Sequence, residues 1–255
     1  MKNLMILFSV MWLSVSCSFS QEHKNQPTEN INQTDRKGQK QGYWEETEDK
    51  IKSVGIYANG KKEGSWLTYH PSGIVQLVES YKNGKKDGAF IEIDSRGYFT
   101  EEQFYSNDKK HGKHRVYERG SRLVLEENYN NDQLDGTKKV FYSNGTLQEE
   151  SEYKNGQKNG TSKWFNQSGQ IIAEYNYVNA KFEGTQKTFY ENGELMSEET
   201  FKENLRNGSA KEYHRNGKIM KEGEYKDNLK EGKWLEYDEN GNLINEIEYV
   251  KDEQK

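Results

Sequence analysis

Three groups of residues have types and spacings that chemistry uses. His111 and His114 form an H-x-x-H pair, two imidazoles close enough to share a metal ion. "YKNGKKDG" at 81–88, which returns as "YKNGQKNG" at 153–160, sets glycines among lysines as a phosphate-cradling loop does. Cys17, the only cysteine, closes an apolar run where its thiol is open to acylation. What each group means depends on the elements that would position it.

The histidine pair falls on an expected turn-to-strand edge with no third ligand at metal spacing, which predicts an ordinary polar edge. "NGKKDG" lacks the strand–loop–helix context that turns glycine amides onto a phosphate. No G-x-S-x-G elbow occurs, and every carboxylate pair has a similar pair one repeat away. Catalysis needs one unique constellation, so the expectation is no enzyme, no cofactor and no metal site.

Residues 1–20, "MKNLMILFSVMWLSVSCSFS", carry a lysine, an apolar stretch from Leu4 to Leu13 and then small residues. This is the layout of an export signal and is too short to span a bilayer. "LSVS" before Cys17 resembles the lipobox of bacterial lipoproteins, with Ser14 where that motif usually has leucine. The resemblance implies cleavage before Cys17 and a lipid anchor on it; the alternative is a plain signal peptide cut after Ser20. Either way the mature chain is exported: a periplasmic or outer-membrane lipoprotein, or a secreted protein. Residues 21–41 contain a single aliphatic residue, Ile31, and read as a flexible polar tether. Fully extended, that tether reaches roughly 70 Å.

The remaining chain has little material for one large core. Leu, Ile, Val and Phe make up about 18% of the 255 residues, below the ~20% at which disorder becomes an issue. A net charge of only −5 and 13% aromatic residues, seventeen of them tyrosine, argue instead for a folded chain of small repeated cores. The mild acidity argues against a nucleic-acid surface.

Those repeats are explicit. Stepping by 24 from Tyr57 meets an aromatic residue nine times, at Tyr57, Tyr81, Tyr105, Tyr129, Tyr153, Tyr177, Phe201, Tyr225 and Tyr249. Glycine recurs at the same step from Gly64 to Gly232, an aromatic or isoleucine from Tyr69 to Tyr237, and an aliphatic or Phe from Val75 to Leu243. A second glycine column slips once, at Gly120–Ser121. Asn-Gly turns between short aromatic runs predict β-hairpins, and the segments between glycines leave no room for a long amphipathic helix. The fold class is therefore all-β: an elongated meander of about nine stacked hairpin units over residues 42–255. Sixteen to eighteen strands at ~4.8 Å each give a sheet roughly 80 Å long.

Two registers compete in "FYSNGTLQEE". A two-residue loop pairs Lys139 with Glu150 but sends Phe141 and Leu147 to opposite faces. A three-residue loop, Ser143–Asn144–Gly145 with Gly145 left-handed, sets Phe141 against Leu147 and keeps Tyr153 beside them. Burying large apolar side chains stabilises by ~1.5–3 kcal/mol each, against about 0–1 for an exposed ion pair, which favours the three-residue loop. That register places Glu102, Glu126, Glu150, Glu174, Glu198, Glu222 and Glu246 on the face away from the rings, as a solvated ladder or an acidic docking strip.

"YxNGxxxGxxxxYxxNGxLxxE" at this period resembles the bacterial variant of the MORN repeat (membrane occupation and recognition nexus). "YKNGKKDGAF", "YKNGQKNGTSKWFNQSGQI" and "YKDNLKEGKWLEYDENGNLI" carry the likeness, which covers residues 42–255. His114, Lys138 and Ser162 stand where the variant often has Trp, as at Trp66 and Trp234, and Asn-Asp replaces Asn-Gly at 107–108 and 131–132. These departures imply middle units with a more polar flank. The resemblance implies a curved sheet of hairpins, and many relatives bear the label YwqK-like antitoxin. Three functions compete: a protein-interaction scaffold of the cell envelope, an antitoxin or immunity protein that binds a toxin, and a cell-wall or carbohydrate-binding module. All three leave the protein partner or ligand unnamed and the binding face open; the membrane enters only through a lipid on Cys17.

Overall fold

The computed structural model describes residues 30–255; the signal region, Cys17 and the first part of the expected tether lie outside the described residues. Successive strands pair antiparallel with their neighbours in sequence, and all belong to one open sheet. Two strands are interrupted for one residue, at Asp135 and at Glu183.

Two kinds of turn alternate along the sheet's two margins. On one margin sit two-residue turns such as Asn83–Gly84, whose φ values of 53° and 80° are both positive. Only residues that tolerate the left-handed region serve there. Asn107–Asp108 keeps the same conformation, and its Asp108 carboxylate accepts a hydrogen bond from the Lys86 amide at 2.8 Å. The Asp108 amide in turn donates to the Lys86 carbonyl at 2.9 Å, so each such turn is tied to the one before it. On the other margin Gly145 takes φ 86° and closes the three-residue loop, with the Tyr142 amide donating to the Thr146 carbonyl at 2.8 Å. The slip at Gly120–Ser121 leaves the register intact: Ser121 takes φ 64° and Tyr117 still faces Leu123.

The three-residue loop is as expected, but the faces beyond it are not. Phe141 pairs with Leu147 while Val140 pairs with Glu149, so Gln148 is an extra, bulged residue. One inserted residue flips every later side chain to the opposite face. Lys139 therefore also pairs with Glu150, and the two registers that competed in the sequence coexist. The cost falls on the face assignment: Tyr153 lies opposite Gly136, away from Phe141 and Leu147, and the glutamate ladder shares the Phe141 face. Tyr117, Tyr213 and Tyr237 show this directly, their hydroxyls donating to Glu102, Glu198 and Glu222 at 2.8, 2.7 and 2.9 Å.

The expected tether also ends earlier. Gln33–Thr34 pairs with Gln41 and Lys40, and Asn32 brackets Glu45 by donating to its carbonyl and accepting from its amide. The Asp35 carboxylate accepts from the Lys37 and Gln39 amides and holds the intervening turn. Local side-chain capping, rather than apolar burial, brings these residues into the sheet.

Candidate functional site

The two faces of the sheet have different chemistry. On the Phe141 face, cations and carboxylates alternate strand by strand from Glu102 to Glu222. Arg115 Nε lies 2.7 Å from Glu126, Lys139 Nζ 3.0 Å from Glu150 and Lys163 Nζ 3.7 Å from Glu174. The glutamates are thus not an unpartnered acidic strip. Tyr117 and Tyr213 are each pushed up to about 12, first by burial and then by the hydrogen-bonded carboxylate.

The opposite face carries the Tyr57–Tyr249 column beside the most buried row of the molecule. That row repeats every 24 residues as Trp66, Phe90, His114, Lys138, Ser162, Gln186, Ala210 and Trp234. The residues that face it cross-strand include Gln103, Glu127 and Ser151, all buried. At each end an indole covers a glycine: a methyl group on Gly55 would stand 2.2 Å from Trp66 Cδ2, and one on Gly223 2.3 Å from Trp234 Cδ2. Tyr57 and Tyr225 meet these indoles edge-on at 4.9 and 5.1 Å.

In the middle the same row is polar. His114 is 8% exposed, with Nε2 2.8 Å from Glu101 and Nδ1 3.0 Å from Glu127. Each ring nitrogen thus faces a carboxylate oxygen, one from each neighbouring strand. Lys138 Nζ and the Tyr129 hydroxyl approach the same Glu127 carboxylate at 3.0 and 3.1 Å. Burial would raise the Glu127 carboxyl, but bonds from His114, Lys138 and Tyr129 outweigh it and hold it below the ordinary range. Next along, the Ser151 hydroxyl and Lys158 ammonium both donate to Glu149, at 2.7 and 3.0 Å.

The H-x-x-H pair is therefore split. His111 is exposed on the strand Lys109–Glu118, whereas His114 on the same strand is buried between two carboxylates and is not the polar edge residue expected. Among the described residues no group of three or more His, Cys, Asp or Glu is arranged to hold a metal ion. The unique constellation Glu101–His114–Glu127–Lys138 escaped the sequence reading, although His114 and Lys138 were already marked as departures from tryptophan. They occupy the buried row itself, not a flank, because the bulge had misassigned the faces.

The lysines of "YKNGKKDG" serve the ring face rather than a phosphate loop. Lys86 Nζ sits 4.6 Å from the Phe90 ring centre and 4.8 Å from that of Tyr105. Lys62, Lys110, Lys158 and Lys230, at the same place in other units, lie 4.4–5.3 Å from their rings. The aromatic faces are thus largely covered by the chain's own ammonium groups.

Six segments, residues 62–83, 134–155, 158–179, 182–203, 206–227 and 230–251, match the family model described as MORN repeat variant. No curated protein matches the chain. The matched segments make up just over half of the sequence, and the chain belongs to the MORN repeat variant family.

Proposed function

We propose that this member of the MORN repeat variant family is a non-enzymatic protein-interaction scaffold of a bacterial cell envelope. One observation carries the reading: a single-layer sheet with one face neutralised by its own ion-pair ladder and the other lined by half-buried rings. A charge-paired face offers a partner little net gain, whereas partly exposed aromatic area is what protein interfaces are enriched in. The lysines stacked on those rings argue for a protein partner over a sugar, which would need the ring faces for itself. In this reading Cys17 carries a lipid and the polar residues that follow hold the sheet off the membrane.

Neighbouring residues on opposite faces supply the test. A photo-crosslinking amino acid at Thr188 or Glu212, on the ring face, is expected to trap a discrete adduct when the full chain is expressed in its own cells. The same probe at Lys187 or Lys211, on the ladder face, is expected to trap little. Equal yields from both faces, or none from either, overturn the scaffold. Palmitate labelling that persists in Cys17→Ser overturns the anchor.

A further inference from the structure

One unit departs from the lysine-over-ring pattern in a way that creates a site. At the place of Lys62, Lys86, Lys110, Lys158 and Lys230 it has Phe182. The Phe182 ring lies 4.9 Å from Tyr177, 5.5 Å from Tyr175 and 5.4 Å from Phe201. Leu134, another residue at this place without a cation, brings no ring. A cavity of about 230 Å³ remains there, lined by Tyr175, Phe182 and Phe201 together with Gln186, Glu199 and Arg206.

The polar lining is partly committed. In the first unit Lys62 Nζ lies 3.8 Å from Glu79, and Glu199 is the residue at Glu79's place five repeats on. The carboxylate is thus retained where the lysine has gone. Its Oε2 accepts from Arg206 Nε at 2.9 Å, which leaves Oε1 for an incoming donor. Gln186 brings no charge: its Oε1 accepts from the Asn176 amide and its Nε2 donates to the Asn176 carbonyl.

We infer that this pocket binds a primary alkylammonium, the end of a lysine side chain presented by a partner protein. In the first unit this arrangement of rings and carboxylate holds the Lys62 ammonium, and here Phe182 brings none. Three ring walls give the quadrupole attraction for a cation, and the rim carboxylate adds a charged acceptor. The source of the lysine rests on the scaffold reading; the ammonium chemistry does not.

The test titrates n-butylammonium, and the neutral 1-butanol as control, into the folded full chain with ring-labelled phenylalanine, followed by NMR. Saturable shifts at Phe182 and Phe201 are expected with the ammonium, and binding at least tenfold weaker with the alcohol. Phe182→Lys restores the residue found in the other units and is expected to abolish binding while the strand signature in circular dichroism is kept. Glu199→Gln, which leaves the rings in place, is expected to weaken binding several-fold and decides the matter if Phe182→Lys does not fold. Absence of saturable shifts, equal binding of the alcohol, or binding undiminished in the variants overturns the pocket. Binding of butylammonium without binding of acetyl-Gly-Lys-Gly-amide overturns the protein source alone. Neither result depends on the crosslinking outcome, so failure of the pocket and failure of the scaffold are distinguishable.

Discussion

The two ends of the sheet and its middle use one backbone register for opposite chemistries. At the ends, Trp66 and Trp234 cover Gly55 and Gly223, and the buried row is apolar. In the middle, His114, Glu127, Lys138, Ser151 and Ser162 fill the same row, bonded to one another or to Glu101 and Glu149 for the most part. The pairing of Phe90 with Gln103 marks the transition between the two. The fold therefore asks only that the row be filled and largely satisfied; the strand ladders and tied turns fix its position. The family match crosses the division between ends and middle. It covers units containing Ser151, Ser162 and Gln186 but not residues 84–133, although those share the same register.

If the ends depend on packing and the middle on charge pairing, single changes should separate them. Trp66→Ala should have the largest effect, about 3–5 kcal/mol, because it removes an indole that is 1% exposed. Since each repeat contacts only its neighbours, hydrogen exchange should show the first units opening while the middle stays protected. Loss of protection spread evenly over the sheet would break the comparison. Glu127→Gln should cost about 3 kcal/mol in urea unfolding, by leaving His114 and Lys138 without their buried partner. Exchanging the whole set for residues used elsewhere at these places, His114→Phe, Glu127→Gln and Lys138→Ser, should recover most of that loss. A triple variant as unstable as Glu127→Gln would mean that the charges do more than fill the row.

The pH dependence should be smaller and confined to the middle. Glu127 and Glu149 are held below their ordinary 4.5, in each case because hydrogen bonds outweigh the upward push of burial. A depressed carboxylate contributes stability above the unfolded value and loses it as pH falls through the folded one. Hydrogen exchange below pH ~4.5 should therefore loosen the strands around Glu127 and Glu149 first, and Glu127→Gln should flatten this acid limb. At the other extreme Tyr129 is pushed from 10.0 up to about 12, by burial and then by Glu127. The stability it contributes is intact below 10 and lost as pH rises through about 12. Smallest of all should be Lys139→Ala with Glu150→Ala, about 0–1 kcal/mol, because this pair is more than a third exposed. Phe141→Ala with Leu147→Ala should exceed it clearly.

Turns were the most legible part of the molecule. Asn-Gly and its Asn-Asp variants announce positive φ through residue type alone, and the left-handed Gly145 followed from needing Phe141 against Leu147. The faces were less legible, because Gln148 has no residue type that marks a bulge. Glutamine there looks like any strand residue, yet its insertion reverses the side of Glu150 and Tyr153. The candidate site suffered from the same blind spot. His114 and Glu127 are 13 residues apart and meet only because their strands pair directly, on a face that could not be assigned without the bulge.

By itself, then, the sequence determined the period, the hairpin unit, both turn types and the meander order. These are local matters, set by φ preferences and by aromatic residues at a fixed step of 24. Only the tertiary structure decided which columns share a face, which polar residues are buried together, and where a lysine is missing from its ring. Those depend on side chains brought together across strands, and one bulged residue per hairpin is enough to exchange the two faces without changing any local preference.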